Sequence, residues 1–226
     1  MISEAICNLA RIPMSMENNP LYQTCLQILD KEDIKPKNTI LYEFSKTLKL
    51  NSLGDVFGID ELLDIPHTCV FLPWIHPEPN TTNLYKHGDG SWHKFKDTAF
   101  VDFDINEKVN KLKKLIKSIQ DNGYIPKTYP DRKGGITGYY LGMGDIKRLY
   151  IVSGNHRSAV LSALDIDIIW GRDKLQKARE FYNVGVDTNP FPKAFYGENV
   201  KEWPSVRSGF LKEDQALKIL NRYLEN

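Results

Sequence analysis

A glycine followed by Asn-His-Arg, placed between a predicted strand and a predicted helix, is the feature of this sequence best suited to chemistry. The strand ends at Val152, and a compact apolar helix follows. Gly154 lets the backbone turn closely, so the N–H groups of the next helix point into one space with the positive end of the helix dipole behind them. Arg157 adds a planar guanidinium suited to phosphate oxygens, and His156 adds a donor or a titratable group. These residues predict an anion site; the alternative is a tight turn with an exposed arginine.

The regular elements that must position this turn are predicted between residues 98 and 170. Strands are expected over 99–103, 136–141, 148–152 and 166–170, with a turn at 142–145 between the second and third. The clearest helix runs from Asn106 to Gln120, with Val109, Leu112, Leu115, Ile116 and Ile119 in one apolar stripe. Its five lysines, Lys108, Lys111, Lys113, Lys114 and Lys117, are interpreted as a solvated face, with attraction of an anionic substrate as the alternative.

The segments before and after this region are predicted to pack onto it. Asn19 and Pro20 begin a helix, Thr39 caps a second one, and residues 72–79 form a loop rich in proline and aromatics. After the core, helices are predicted over 172–182 and 212–224. We therefore divide the chain into an N-terminal extension (1–97), a core (98–172) and a C-terminal extension (173–226), folded as one unit in which Trp74 and Trp203 are buried.

Composition excludes several classes of protein. The chain has 226 residues with 30 Lys+Arg against 29 Asp+Glu, and a net charge of +1 argues against a nucleic-acid partner. The three cysteines are far apart, which argues against a disulfide scaffold and a thiolate zinc site. No apolar run approaches the roughly 18 residues of a membrane helix, and no secretory signal is visible. We expect a cytoplasmic protein with no membrane partner.

Two motifs resemble the signature of the ParB/sulfiredoxin superfamily. Residues 115–123 read Leu-Ile-Lys-Ser-Ile-Gln-Asp-Asn-Gly, and residues 151–159 read Ile-Val-Ser-Gly-Asn-His-Arg-Ser-Ala. The family pairs such a helix end with a later Gly-x-His/Arg-Arg turn that opens a helix. The resemblance covers residues 98–172 and implies an α/β (α+β) fold with a small mixed sheet and packed helices.

Several residues of this chain distinguish among the activities found in that superfamily. Asn155 stands where sulfiredoxins carry a reactive cysteine, which excludes their thiolate chemistry. Chromosome-partition members have Gly-Glu-Arg-Arg and a following DNA-binding module. This chain has His156 in place of the first arginine and only 56 residues after Trp170, so we do not expect a DNA-partition role. Similarity to free-serine kinases instead implies an acid just before the first helix, carried over to Glu107 with Asp104 as the fallback.

The same resemblance implies where a nucleotide would be held. Its phosphates would contact Ser153, Gly154, Asn155, His156, Arg157 and Ser158. Mg²⁺ would accompany a nucleoside triphosphate or diphosphate, Glu107, Asp104 and His156 would serve catalysis, and no protein ligands for a metal are assigned. Residues 72–74 and 202–209 further resemble bacterial members associated with surface-polysaccharide biosynthesis.

Three functions follow from these observations. The first is a nucleotide-dependent kinase or phosphotransferase acting on a small polar, hydroxyl-bearing substrate. The second is a non-catalytic switch in which CTP or ATP closes a homodimer. The third is a ParB-like nuclease, for which Asp102 and Asp104 are the only obvious acidic pair.

Two more residues, His87 and Arg172, are assigned to substrate contacts. The alternatives are polar loop packing for His87 and an ordinary surface charge for Arg172. His87 lies in a loop with Gly88, Asp89 and Gly90 that leads toward the site, and Arg172 follows the last predicted strand. The histidines His76, His87 and His93 have no metal-ligand spacing, so we interpret them as polar loop packing rather than a metal site.

Overall fold

Helices and two small sheets make up the parts of the chain that the structure describes. The structure is a computed structural model, and it describes residues 7–9, 12–47, 52–64, 71–78, 98–124, 136–166 and 194–225. In chain order the elements are β1 (Cys7–Leu9), β2 (Ile12–Met14), α1 (Pro20–Asp30), α2 (Ile40–Thr47), α3 (Leu53–Phe57), α4 (Thr98–Asn122), β3 (Thr137–Met143), β4 (Ile146–Ser153), α5 (Asn155–Ala163), β5 (Ala194–Tyr196), α6 (Pro204–Arg207) and α7 (Glu213–Leu224). Short 3-10 helices cover Pro36–Asn38, Asp60–Leu62 and Gly197–Glu202.

The first two helices begin where their capping residues predict. The Asn19 side chain accepts a hydrogen bond from the Leu21 N–H at 2.8 Å, and Pro20 occupies the first turn of α1. Thr39 accepts from the Tyr42 N–H at 3.3 Å and so serves as the predicted cap of α2. Both helices are confirmed.

Helix α4 corrects one prediction. Residues 99–103 were expected to form a strand, but α4 runs from Thr98 to Asn122 without a break. The reason is that Val101 continues the four-residue spacing of Ile105 and Val109, and no glycine or proline separates the two stretches. The predicted helix over 106–120 is confirmed as the larger part of α4.

A mixed three-stranded sheet lies at the centre of the fold. β3 and β4 form an antiparallel hairpin with Tyr139 opposite Tyr150, and β5 adds to β3 in parallel, with Leu141 opposite Phe195. The sheet order is β4-β3-β5. The hairpin turns at Gly144, whose φ of 56° favours glycine. The predicted hairpin and the predicted α+β class, a small mixed sheet with packed helices, are both confirmed.

The two faces of this sheet are covered by two separate hydrophobic cores. Leu149 and Ile151 point to one face and Tyr150 to the other, as strand alternation requires. Core one joins the sheet to α1, α2, α4 and α5, and core two joins it to α3, α7 and residues 71–74. Segments from both ends of the chain therefore cover the sheet.

The N- and C-terminal segments also bond directly to each other and to the sheet. Trp74 and Trp203 are 2% and 3% exposed, with ring centroids 5.6 Å apart, which confirms their predicted burial. The Trp74 indole N–H donates to the Tyr139 hydroxyl at 2.8 Å. The Ser205 N–H donates to the Pro73 carbonyl at 3.3 Å, and the Ser208 hydroxyl donates to the Pro77 carbonyl at 2.7 Å.

Two of the elements predicted after residue 165 fall mostly or entirely outside the described residues. The strand predicted over 166–170 falls on residues of which only Ile166 is described, and the helix predicted over 172–182 lies entirely outside the described residues. The helix predicted over 212–224 is confirmed as α7. Among the described residues, no helix combines the length and the apolarity that a membrane crossing needs.

Candidate functional site

The predicted strand-to-helix turn is present at the end of β4. The strand ends at Ser153, Gly154 adopts left-handed φ and ψ of 88° and 18°, and α5 begins at Asn155. A residue with a Cβ would lose roughly 1–2 kcal/mol in this conformation, so glycine is the residue that the turn requires. The prediction that residues 153–157 connect a strand to a helix N-terminus is confirmed.

Ser158 fixes the geometry of this turn from inside the protein. Its N–H and its hydroxyl both donate to the Gly154 carbonyl oxygen, at 2.9 and 3.1 Å. The residue is completely buried. The two bonds orient the peptide group that follows Gly154 and with it the first turn of α5. This role was missed in the sequence, although serine bonding back to the carbonyl four residues earlier is a known helical pattern.

The first turn of α5 presents the groups that an anion needs. The N–H groups of Asn155, His156 and Arg157 precede the first hydrogen bond of the helix ladder, the one from Ser158 to Gly154. All three residues are partly buried, and the Nε2 atom of His156 is buried. The helix dipole places partial positive charge at this end, and the Arg157 guanidinium adds a full positive charge. The arrangement is chemically suited to phosphate or carboxylate oxygens.

The rest of α5 holds this turn firmly in the fold. Ala159, Val160 and Leu161 are fully buried in core one, where α5 packs against α1 and α4. The helix is therefore anchored by apolar contacts that do not involve the Arg157 side chain. Binding at the turn and stability of the helix can be tested separately.

The acids carried over from the resemblance lie on a helix. Glu107 and Asp104 are both within α4, whereas the resemblance placed an acid in the connection before the first helix. Glu107 is exposed and two residues from both Ile105 and Val109, about 160° around the helix from each of these buried residues. It therefore faces away from core one, in which α5 is anchored. The assignment of the catalytic acid to Glu107 stays a prediction from the resemblance.

The other residues assigned from the sequence fall into two groups. His87, His93 and Arg172 lie outside the described residues. His76 accepts a hydrogen bond from the Leu72 N–H at 3.1 Å through Nδ1, which is loop packing as expected. Within the described ranges, no group of three or more His, Cys, Asp or Glu side chains is arranged to hold a metal ion.

The lysines of α4 belong to the surface of the helix. Lys111, Lys114 and Lys117 are exposed, and the Lys113 ammonium donates to the Ile34 carbonyl at 3.0 Å. Glu107 stands four residues before Lys111, a spacing that stabilises helices through ion pairing. These positions agree with the interpretation of a solvated helix face.

Comparison with known proteins identifies no relative of this chain. No family model matches it, and searches of curated proteins and of solved structures return no match. The features on which a function can be based are those of the β4–α5 junction: the left-handed Gly154, the first turn of α5 and the Arg157 guanidinium.

Proposed function

We propose that the protein binds the phosphate groups of a nucleotide at the β4–α5 junction and transfers a phosphoryl group to a small hydroxyl-bearing acceptor. The observation that carries the proposal is the left-handed Gly154 between β4 and the first turn of α5, a firmly packed helix on which Arg157 lies. Backbone N–H groups at a helix N-terminus and a guanidinium are a recurrent combination for phosphate oxygens.

The chemistry assigned to each group follows from its type. The amides of residues 155–157 and the Arg157 guanidinium would hold phosphate oxygens, and His156 would donate a further hydrogen bond. Mg²⁺, carried on the phosphates of a nucleoside triphosphate or diphosphate, would offset their negative charge. Most of the rate enhancement would come from positioning of the two substrates and from stabilisation of the transition-state charge by the protein. Glu107, with Asp104 as the fallback, remains the proposed acceptor of the hydroxyl proton.

One observation favours a second candidate function, a non-catalytic nucleotide switch. Glu107 is exposed on the side of α4 opposite the buried stripe, and a switch is the candidate that does not need Glu107 as a base. In a switch, CTP or ATP would close a homodimer, and binding would need no acceptor and no base. This candidate uses the same phosphate-binding turn.

The nuclease alternative has the least support. Its acidic pair, Asp102 and Asp104, lies in α4, and the net charge of +1 argues against a nucleic-acid substrate.

We place either activity in the cytoplasm and in the biosynthesis of surface polysaccharides or related metabolites. Support comes from the resemblance of residues 72–74 and 202–209 to bacterial proteins of that setting. These two segments pack against each other through Trp74 and Trp203.

Ligand-dependent melting tests the binding step common to both candidates. The full chain is melted with ATP, ADP, CTP and GTP, each with and without Mg²⁺. A ligand at one hundred times its Kd stabilises the native state by about 2.7 kcal/mol, which corresponds to a rise in Tm of roughly 5–10 °C for a chain of this size. If none of the nucleotides raises the Tm, the proposed nucleotide site is contradicted.

Glu107→Gln then separates the two candidates. A phosphotransferase predicts nucleotide turnover that depends on an acceptor hydroxyl, and that is lost in Glu107→Gln while nucleotide affinity is kept. A switch predicts binding with no acceptor dependence and no effect of this substitution. Lys114→Gln, on the same exposed side of α4, is the matched control for a change of surface charge.

A further inference from the structure

We draw no further inference here: the strongest candidate, the partly exposed surface that Tyr140, Lys147 and Tyr196 form around Gly142 at the hairpin end of the sheet, carries nothing because the Lys147 ammonium already lies 4.4 Å from the centre of the Tyr140 ring and nothing in the part of the chain that the structure describes shows what else covers it.

Discussion

Ser158 donates two hydrogen bonds to the carbonyl oxygen of Gly154, one from its backbone N–H at 2.9 Å and one from its hydroxyl at 3.1 Å. The first bond belongs to any helix, whereas the second depends on the serine side chain. Because Ser158 is completely buried, its hydroxyl contributes to holding the left-handed turn rather than to the surface of the site. The shape of the proposed phosphate site therefore depends on a side chain beneath it.

Ser158→Ala is predicted to loosen this turn while leaving the fold intact. One intramolecular hydrogen bond contributes about 0.5–1.5 kcal/mol, so the Tm should fall by only a few degrees. Nucleotide affinity should fall as well, because the first turn of α5 is less well oriented. Ser118→Ala, at an exposed position of α4, should change neither quantity. Calorimetric titration and thermal melting measure the two effects, and an unchanged affinity with a lowered Tm would show that the Ser158 hydroxyl serves stability alone.

The fragment 95–172 is predicted not to fold alone. Removing the residues before 95 takes α1 and α2 from core one and α3 with Trp74 from core two. Removing the residues after 172 takes β5 and α7, so the core-two face of the β3–β4 hairpin loses its apolar cover and the core-one face keeps only α4 and α5. We expect the fragment to lack a cooperative thermal transition by circular dichroism, with the full chain as the reference. A cooperative transition in the fragment would show that residues 98–172 form a separable domain.

Glu198 should make stability depend on pH at the acid end. Its carboxylate accepts the Gly144 N–H at 2.6 Å, and this bond lowers the pKa of the Glu198 carboxyl below its ordinary value of 4.5. A lowered folded-state pKa means that the contribution is present at neutral pH and is lost as the pH falls below 4.5 toward that pKa.

Melting curves of the wild type and Glu198→Gln from pH 7 to pH 3 test this dependence. The wild type should be the more stable at pH 7, and the difference should shrink as the pH falls. The pKa of Glu61 is also lowered, by its hydrogen bond from Lys218, but this group is unchanged in both proteins and its effect cancels in the difference. Glu202→Gln, exposed in the same 3-10 helix, is the control. A wild-type advantage that persists undiminished at pH 3 would contradict the role of the Gly144 bond.

The parts of the fold that the sequence predicts correctly are those with local signals. The side-chain cap of Asn19, the glycine at the β3–β4 turn and Gly154 each act within a few residues, so their positions can be predicted without knowledge of the tertiary structure. The strand predicted over 99–103 was wrong because a short apolar run fits a strand and a helix equally well. The spacing of Val101, Ile105 and Val109, with no glycine or proline between the two stretches, favours its continuation into α4.

In the candidate site too, the sequence predicts the features that depend on local signals and not those that depend on tertiary packing. The junction of β4 with α5 was predicted from a glycine at a strand end, and the structure contains it. Glu107 lies within the helix predicted over 106–120, and its position relative to the α5 turn depends on tertiary packing that the sequence does not specify. The inward role of Ser158 depends on the burial of α5, which the tetrapeptide alone does not specify.

The most direct test of the phosphate site is the nucleotide affinity of Arg157→Ala, measured by calorimetry with Mg²⁺ and the nucleotide that stabilises the wild type. Charge-assisted hydrogen bonds contribute about 1.5–3 kcal/mol each, so affinity should fall roughly ten- to a hundredfold with little change in Tm. Arg157→Lys should recover only part of the loss, because lysine keeps the charge and lacks the two-pronged geometry. Arg148→Ala removes an exposed arginine of β4, the strand that precedes the turn. This variant should bind the nucleotide as the wild type does. If Arg157→Ala instead melts much earlier while its affinity per folded molecule is unchanged, Arg157 is a structural residue and the phosphate site is not where we propose it.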